Sequence, residues 1–144
     1  MKIQLVFLVV VLLYATALSE DQDIAPYDKF KNQHVIVKMS DDKCDSVIKF
    51  RKIKYKNGCK KINTFILGSV KTVTAICKPK GQNTYSGKIV SQKKFKIIVC
   101  KLTKNSPKYP KCQYEGHSFT KKIAITCKKG LPVHYDRDVD DREE

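Results

Sequence analysis

The chain has 144 residues, which fits one domain with short terminal segments and a modest hydrophobic core, and its sequence shows no sign of a second domain. Its formal net charge is +15, from 29 basic and 14 acidic residues. From Ser46 to Tyr135 there are 22 Lys or Arg and a single acid, Glu115, whereas Asp136 to Glu144 holds six acids and two arginines. A cationic body of this kind favours a polyanionic partner over a merely solvated surface, without saying which polyanion.

The N-terminal segment indicates export. Lys2 precedes an apolar run from Leu5 to Leu13, and the small residues Ala15-Thr16-Ala17 follow. Because the run is too short for a membrane anchor, residues 1–17 are predicted to be a secretory signal peptide, cleaved after Ala17 or, as a second choice, after Ser19. We therefore expect a secreted, extracellular protein.

The cysteines all follow this segment, at Cys44, Cys59, Cys77, Cys100, Cys112 and Cys127. An even number in a small exported chain predicts three disulfides, and spacing alone does not choose among the possible pairings. A zinc site is the alternative, but there is no C-x-x-C pair, and His117, five residues after Cys112, has no partner histidine at ligand spacing. Disulfides are the preferred interpretation.

The first predicted element is a helix that begins near Pro26, a residue suited to a first helical turn. Tyr27, Phe30, His34 and Val37 follow at spacings of three and four, which places them on one helical face.

Two further helices are predicted, and then mainly strands. The helices are expected at about 45–52 and 69–77, with a strand at 60–67 between them; after a loop at 78–87, strands are expected at 93–103, 112–115, 121–127 and 131–135. Helices early and strands late indicate an α+β domain with an antiparallel sheet. We assign this domain to residues 18–135 and expect an acidic C-terminal tail at 136–144.

Four motifs carry a family resemblance: Lys29-Phe30 with Gln33-His34, C-K-x-x-N-T-F at 59–65, K-Y-P-x-C-x-Y at 108–114, and P-V-H-Y-D at 132–136. In this order the chain resembles the pancreatic ribonuclease (ribonuclease A) superfamily. The resemblance implies a ribonuclease A-like fold, in which short N-terminal helices pack on a bent antiparallel sheet. It also implies a cis peptide at Tyr109-Pro110 and the bridges Cys44–Cys100, Cys59–Cys112 and Cys77–Cys127, the three-disulfide pattern of angiogenins and several non-mammalian members.

The same resemblance implies an active site, which spacing alone does not, since an isolated histidine is more often structural. The implied catalytic residues are His34 as base, His134 as acid and Lys60 as anion stabiliser. Implied substrate contacts come from Lys29, Gln33, Asn63, Thr64, Phe65, the backbone N–H of Tyr135, and Asp136, which also orients His134. His117 is interpreted as a bystander in a loop.

The implied activity is cleavage of single-stranded RNA after pyrimidines, through a 2′,3′-cyclic phosphate and without metal or cofactor. Two departures leave the base preference open: Lys128 stands where many members carry a glutamate, and Val99 replaces an aspartate that in some members tunes Thr64.

The protein is expected to be a monomer. Its positive charge leaves two other functions open. One is a cationic host-defence protein that binds anionic membranes or bacterial surface polyanions. Another is an angiogenin-like ligand that uses Arg51 to Lys56 as a heparan sulfate or nuclear cluster, although a solvated face is slightly favoured for that run.

Overall fold

A computed structural model of the chain describes residues 25–78 and 87–140. The helices are α1 (Pro26–His34), α2 (Cys44–Phe50) and α3 (Val70–Thr74), with short 3₁₀ turns at Asp41–Lys43 and Ala75–Cys77. The strands are β1 (Val35–Ile36), β2 (Ile62–Leu67), β3 (Lys88–Val90), β4 (Phe95–Leu102), β5 (Tyr114–Lys128) and β6 (Leu131–Val139). The predicted signal peptide, nearly all of the predicted loop at 78–87 and the last four residues of the predicted tail lie outside the described residues.

The strands form one sheet in the order β1-β2-β4-β5-β3, and β6 also pairs with β5. All pairings are antiparallel except that of β1 with β2. The first half of β5 pairs with β4, and its second half pairs with β3 and β6. The predicted α+β class and the helices packed on an antiparallel sheet are confirmed.

The apolar core lies on both faces of the sheet. One cluster joins Phe30 of α1 and Val73 of α3 to strand residues such as Ile97. The other joins Ile48 of α2 to strand residues such as Ile98. Because neighbouring side chains of a strand point to opposite faces, the apolar run in β4 supplies both clusters.

Three disulfides tie the elements together, and they have the pairing that the resemblance implies. Cys44–Cys100, Cys59–Cys112 and Cys77–Cys127 close segments of 56, 53 and 50 residues, with Cα atoms 5.8–5.9 Å apart. In the chain-entropy model each such bridge stabilises the fold by about 4 kcal/mol. The Tyr109–Pro110 peptide is cis, as expected.

The first helix is shorter than the predicted apolar face. It ends at His34, Val35 is already extended, and the side chain of Val37 is 77% exposed. The β-branched run after His34 favours extended backbone, and β1 pairs with β2. Arg51 Nη1 donates to the carbonyls of Asn32 and Val35, so it satisfies acceptors where the helix ends.

The structure differs from the predicted strands in three places. Residues 116–120 lie within β5 instead of forming a loop, so His117 is a strand residue, and β3 was not predicted. β6 continues to Val139, so Asp136–Val139 belong to the sheet and not to a tail. Burial of Val139 and the ion pair of Lys121 Nζ with Asp138 Oδ2, at 2.9 Å, stabilise this extension.

Candidate active site

The three predicted catalytic side chains lie in one cleft. His34 ends α1, Lys60 precedes β2, and His134 lies on β6, and all three line a cavity of about 580 Å³. The charges of Lys60 and His134 both act on His34, which indicates that the groups are close together. Elements distant in sequence therefore bring two imidazoles and one ammonium to the same place.

The imidazole of His34 is held in one neutral tautomer. Its Nδ1 lies 2.7 Å from the backbone carbonyl oxygen of Thr64. A carbonyl only accepts hydrogen bonds, so Nδ1 carries the proton, and in the neutral ring the lone pair is at Nε2. The strand that supplies the carbonyl thus fixes which nitrogen can accept a proton.

The surroundings of His34 disfavour its charged form. The ring centroids of Phe30 and Tyr135 each lie 5.3 Å from that of His34. Burial, followed by the charge of Lys60, lowers the pKa of His34 from 6.5 to about 3. The imidazole is therefore neutral at physiological pH, and an anionic phosphate in the cleft would raise this pKa by offsetting the nearby positive charge.

Lys60 is oriented by two amide side chains. Its Nζ donates to Gln33 Oε1 at 3.0 Å and to Asn63 Oδ1 at 2.8 Å, while Asn63 Nδ2 donates to the backbone carbonyl of Gln33 at 2.8 Å. An ammonium has three donors, so one remains for an anion in the cleft. Burial, with a contribution from Lys29, lowers the pKa of Lys60 to about 8, which leaves it mainly charged at neutral pH.

His134 differs from His34 in its solvation. Its side chain is 70% exposed, and its Nε2 lies 3.5 Å from Asp136 Oδ1, in a carboxylate that is 14% exposed. Thr126 Oγ1 lies 3.1 Å from both oxygens of that carboxylate, so its hydroxyl proton is shared between them. The Asp136 contact occupies Nε2 and leaves Nδ1 for a reacting group.

The local geometry of β6 aims His134 at the cleft. The turn between β5 and β6 has two residues, Lys129 and Gly130, both with positive φ, as a type I′ hairpin turn requires. The β5–β6 pairing has two register shifts on either side of His134 and Tyr135. At these shifts Val133 and Asp136 have no partner residue on β5. Such bulges redirect side chains, and sequence periodicity does not reveal them.

The predicted base pocket is only partly present. Thr64 and Val99 face each other across β2 and β4, and both line the cleft with Lys29, Gln33, Tyr135 and Asp136. The predicted substrate contact of Phe65 is wrong. Because neighbouring side chains of a strand alternate between its faces, Phe65 points to the other face of β2, where it is fully buried in the core. Asn63 is also buried, and it positions Lys60 and Gln33 instead of lining the cleft.

Sequence reasoning missed several residues of the site, among them four that bear on its chemistry. Tyr55, Ile62 and Lys101 line the cleft, and Thr126 supports Asp136. Some of these residues lie opposite another site residue on the neighbouring strand. Ile62 pairs with Lys101, and Thr126 pairs with His134, so only the strand register could have revealed them. His117, the predicted bystander, does not line the cleft; its Nε2 lies 4.0 Å from Glu115 Oε2.

The described ranges, residues 25–78 and 87–140, contain neither a metal-ligand cluster nor a membrane-spanning helix. No group of three or more His, Cys, Asp or Glu side chains in these ranges is arranged to hold a metal ion. None of the helices described there is both long and apolar enough to cross a bilayer.

Comparison with known proteins identifies the family. The pancreatic ribonuclease family matches residues 25–136. Mouse angiogenin is 36% identical over 118 residues, which cover 80% of this chain and 79% of that protein. The crystal structure of zebrafish RNase5 has a TM-score of 0.70 at 39% identity, covering 77% of this chain and 92% of its own, and that of green turtle egg white ribonuclease has 0.71 at 33%, covering 81% and 100%. The chain therefore belongs to the pancreatic ribonuclease family and is a ribonuclease.

Proposed function

We propose that this ribonuclease cleaves single-stranded RNA after pyrimidines without a metal, with His34 as general base, His134 as general acid and Lys60 as anion stabiliser. The observation that carries this proposal is the contrast between the two imidazoles of one cleft. His34 is buried and neutral with its Nε2 lone pair available, whereas His134 is exposed beside a carboxylate. One buried and one solvent-exposed imidazole in the same cleft is an arrangement typical of acid–base pairs.

In the first step, His34 Nε2 takes the proton of the ribose 2′-hydroxyl as that oxygen attacks phosphorus. The bond from phosphorus to the 5′-oxygen breaks, and protonated His134 donates from Nδ1 to the departing oxygen. The products are a 2′,3′-cyclic phosphate and a 5′-hydroxyl. Water opens the cyclic phosphate with the two roles reversed.

Lys60 stabilises the negative charge that builds on the non-bridging phosphate oxygens during attack. Gln33 and Asn63 hold its ammonium before substrate arrives, so little reorganisation is needed at the moment of reaction. Gln33 and the backbone N–H of Tyr135 bind the phosphate in this proposal, and Lys29 binds a neighbouring phosphate.

Thr64 is the pyrimidine-reading group in this proposal. Its hydroxyl can both donate and accept, so it can pair with the edge of either cytosine or uracil. Val99 faces it from β4 and offers no hydrogen bond, so this neighbour does not bias Thr64 toward either pattern. We therefore expect similar cleavage after the two pyrimidines.

The histidines give the first test. His34→Ala and His134→Ala are each expected to lower kcat/KM on an oligonucleotide with a single uridine by between about a hundredfold and ten-thousandfold. His117→Ala, which alters an exposed histidine outside the cleft, is the matched control and should retain wild-type activity. The same RNA should be cleaved in EDTA, and its all-deoxy counterpart should stay intact. Full activity of either cleft variant, or loss of wild-type activity with chelator, would contradict the mechanism.

A second candidate output is binding to anionic surfaces. Phe50 and Val37 are 88% and 77% exposed, and Phe50 lies beside Arg51 and Lys52, a combination that suits anionic membranes or heparan sulfate. Arg51 already caps α1 through two carbonyls, so the cluster depends mainly on the lysines. If His34→Ala retains bacterial killing or cell stimulation, that output does not need catalysis.

Export and a monomeric state complete the proposal. Three disulfides and no free cysteine in the described ranges fit an oxidising compartment, as the predicted signal peptide requires. N-terminal sequencing of the secreted protein tests export and the cleavage site. Size-exclusion chromatography with light scattering tests the monomeric state, which requires the mass of one chain.

A further inference from the structure

Tyr55 lines the same cleft as the catalytic side chains, and the proposed mechanism gives it no role. Its side chain is 63% exposed, unusual for a large aromatic residue in a cleft that also contains a buried imidazole and a half-buried lysine. An exposed aromatic ring in a cationic cleft is the feature on which proteins stack the bases of single-stranded nucleic acids.

The turn that carries Tyr55 is constrained. Tyr55 N donates to Gly58 O at 3.1 Å, and Gly58 N donates to Tyr55 O at 2.9 Å, which closes the turn as an isolated β-bridge. The next residue, Cys59, is bonded to Cys112. The ring is therefore presented from a fixed backbone, and little conformational entropy is lost when a base stacks on it.

The surroundings of Tyr55 suit a nucleotide. Lys54 and Lys101 line the cleft with it, and Lys56 Nζ lies 5.5 Å from the centroid of its ring. Ile62, 55% exposed, lies two residues before Thr64 on the same face of β2, or about 7 Å along the strand. That step is about the length of one extended nucleotide, so this end of the cleft can take a base beside the one at Thr64.

We propose that Tyr55 is a stacking platform for the RNA base adjacent to the pyrimidine held at Thr64. The inference rests on the proposed function, because it takes Thr64 as the pyrimidine site. RNA is favoured over a lipid surface because Tyr55 lies within the catalytic cleft. The more exposed Phe50 lies in a separate shallow depression, which it lines together with α1 residues and with Arg51 and Lys52.

Binding of an all-deoxy oligonucleotide tests the platform without any cleavage step. Wild-type protein and variants are titrated with a fluorescent single-stranded pentamer that has one central thymidine. Tyr55→Ala is expected to raise Kd roughly tenfold, as loss of one base–aromatic stack does. Tyr55→Phe and Tyr55→Trp should bind like wild type, and Phe50→Ala, the matched exposed aromatic, should change Kd less than about twofold.

Abasic substitutions locate the stacked base. When the base that contacts Tyr55 is removed, Tyr55→Ala should cost no further affinity, because the two changes delete the same interaction. That position should be next to the thymidine. Equal Kd values for wild type and Tyr55→Ala on every pentamer would overturn the inference. So would a Tyr55→Ala variant that loses affinity for anionic phospholipid vesicles but not for the oligonucleotides.

The outcomes separate this inference from the proposed mechanism. If His34→Ala abolishes cleavage but Tyr55→Ala binds like wild type, the stacking platform is wrong and the mechanism stands. If Tyr55→Ala weakens binding but His34→Ala still cleaves RNA, the mechanism is wrong and the platform stands as a binding site.

Discussion

His34 and His134 share a cleft but differ in solvent exposure, and the burial of His34 makes the stability of the fold depend on pH. Burying the neutral imidazole of His34 between two aromatic rings makes its protonation unfavourable in the folded state. The unfolded chain has no such restriction, so its histidine titrates at the ordinary value of 6.5. Between pH 6.5 and about 3 the unfolded state therefore binds one more proton at this residue than the folded state does.

This linkage predicts a loss of stability on acidification. The contribution of His34 is fully present above pH 6.5 and falls, by up to about 1.4 kcal/mol per pH unit, as the pH drops toward 3. Between pH 6.5 and 5, His34→Asn should lose about 2 kcal/mol less than wild type in its free energy of unfolding, measured with guanidinium. His117→Asn should follow wild type, and identical slopes for all three proteins would contradict the burial of His34.

The sequence motifs could predict which residues meet, but not how each one is used. Lys60, Asn63 and Phe65 lie in one motif, yet only Lys60 lines the cleft. Asn63 is buried behind Lys60, and Phe65 belongs to the core on the other face of β2. The face on which a strand residue lies depends on the strand's register and partners, which a motif does not contain.

Among the elements, β5 is approached closely by backbone at Gly116, where the 3₁₀ turn Asp41–Lys43 packs on it. A Cβ placed on Gly116 would lie 2.0 Å from the carbonyl oxygen of Asp41 and 2.9 Å from Cys44 Sγ. Neither group moves freely, since one is backbone and the other belongs to the Cys44–Cys100 bridge. The missing side chain of Gly116 thus lets the turn and α2 dock on the sheet.

Gly116→Ala should therefore destabilise the fold by about 1–3 kcal/mol or more, as overpacking does. Gly68→Ala is the matched control, because a Cβ there meets nothing within 4 Å and Gly68 is not among the positive-φ glycines. Urea unfolding of the two variants at pH 7 measures the difference. Equal stability of Gly116→Ala and wild type would mean that the turn can move away without cost.

Element prediction succeeded where apolar periodicity was strong and failed where pairing decided the outcome. The α2, β2 and β4 segments were predicted within a few residues, because buried positions recur in them. β3 has only three residues and depends on its pairing with β5, so no local pattern could reveal it. Charged residues hid the end of β6, because Asp138 lies in the sheet opposite Ile123 and pairs with Lys121.

For the whole molecule, the position of positive charge matters more than its total. The chain carries a net charge of +15, but only some of its lysines line the cleft, among them Lys29, Lys54, Lys60 and Lys101. A strong overall field accelerates the approach of any polyanion, whereas cations inside the cleft contact phosphates and release their counterions. Affinity and its salt dependence can therefore be assigned to particular lysines.

The dependence of binding on salt should report these contacts. If the four cleft lysines each neutralise one phosphate, a plot of the logarithm of the association constant for a deoxy oligonucleotide against the logarithm of salt concentration should have a slope of about −3. Lys101→Gln should reduce the steepness by about 0.7, since one contact is lost. Lys104→Gln removes the same charge from an exposed turn outside the cleft and should leave the slope unchanged. Equal slopes for the two variants would show that the oligonucleotide responds to net charge and is not bound along the cleft.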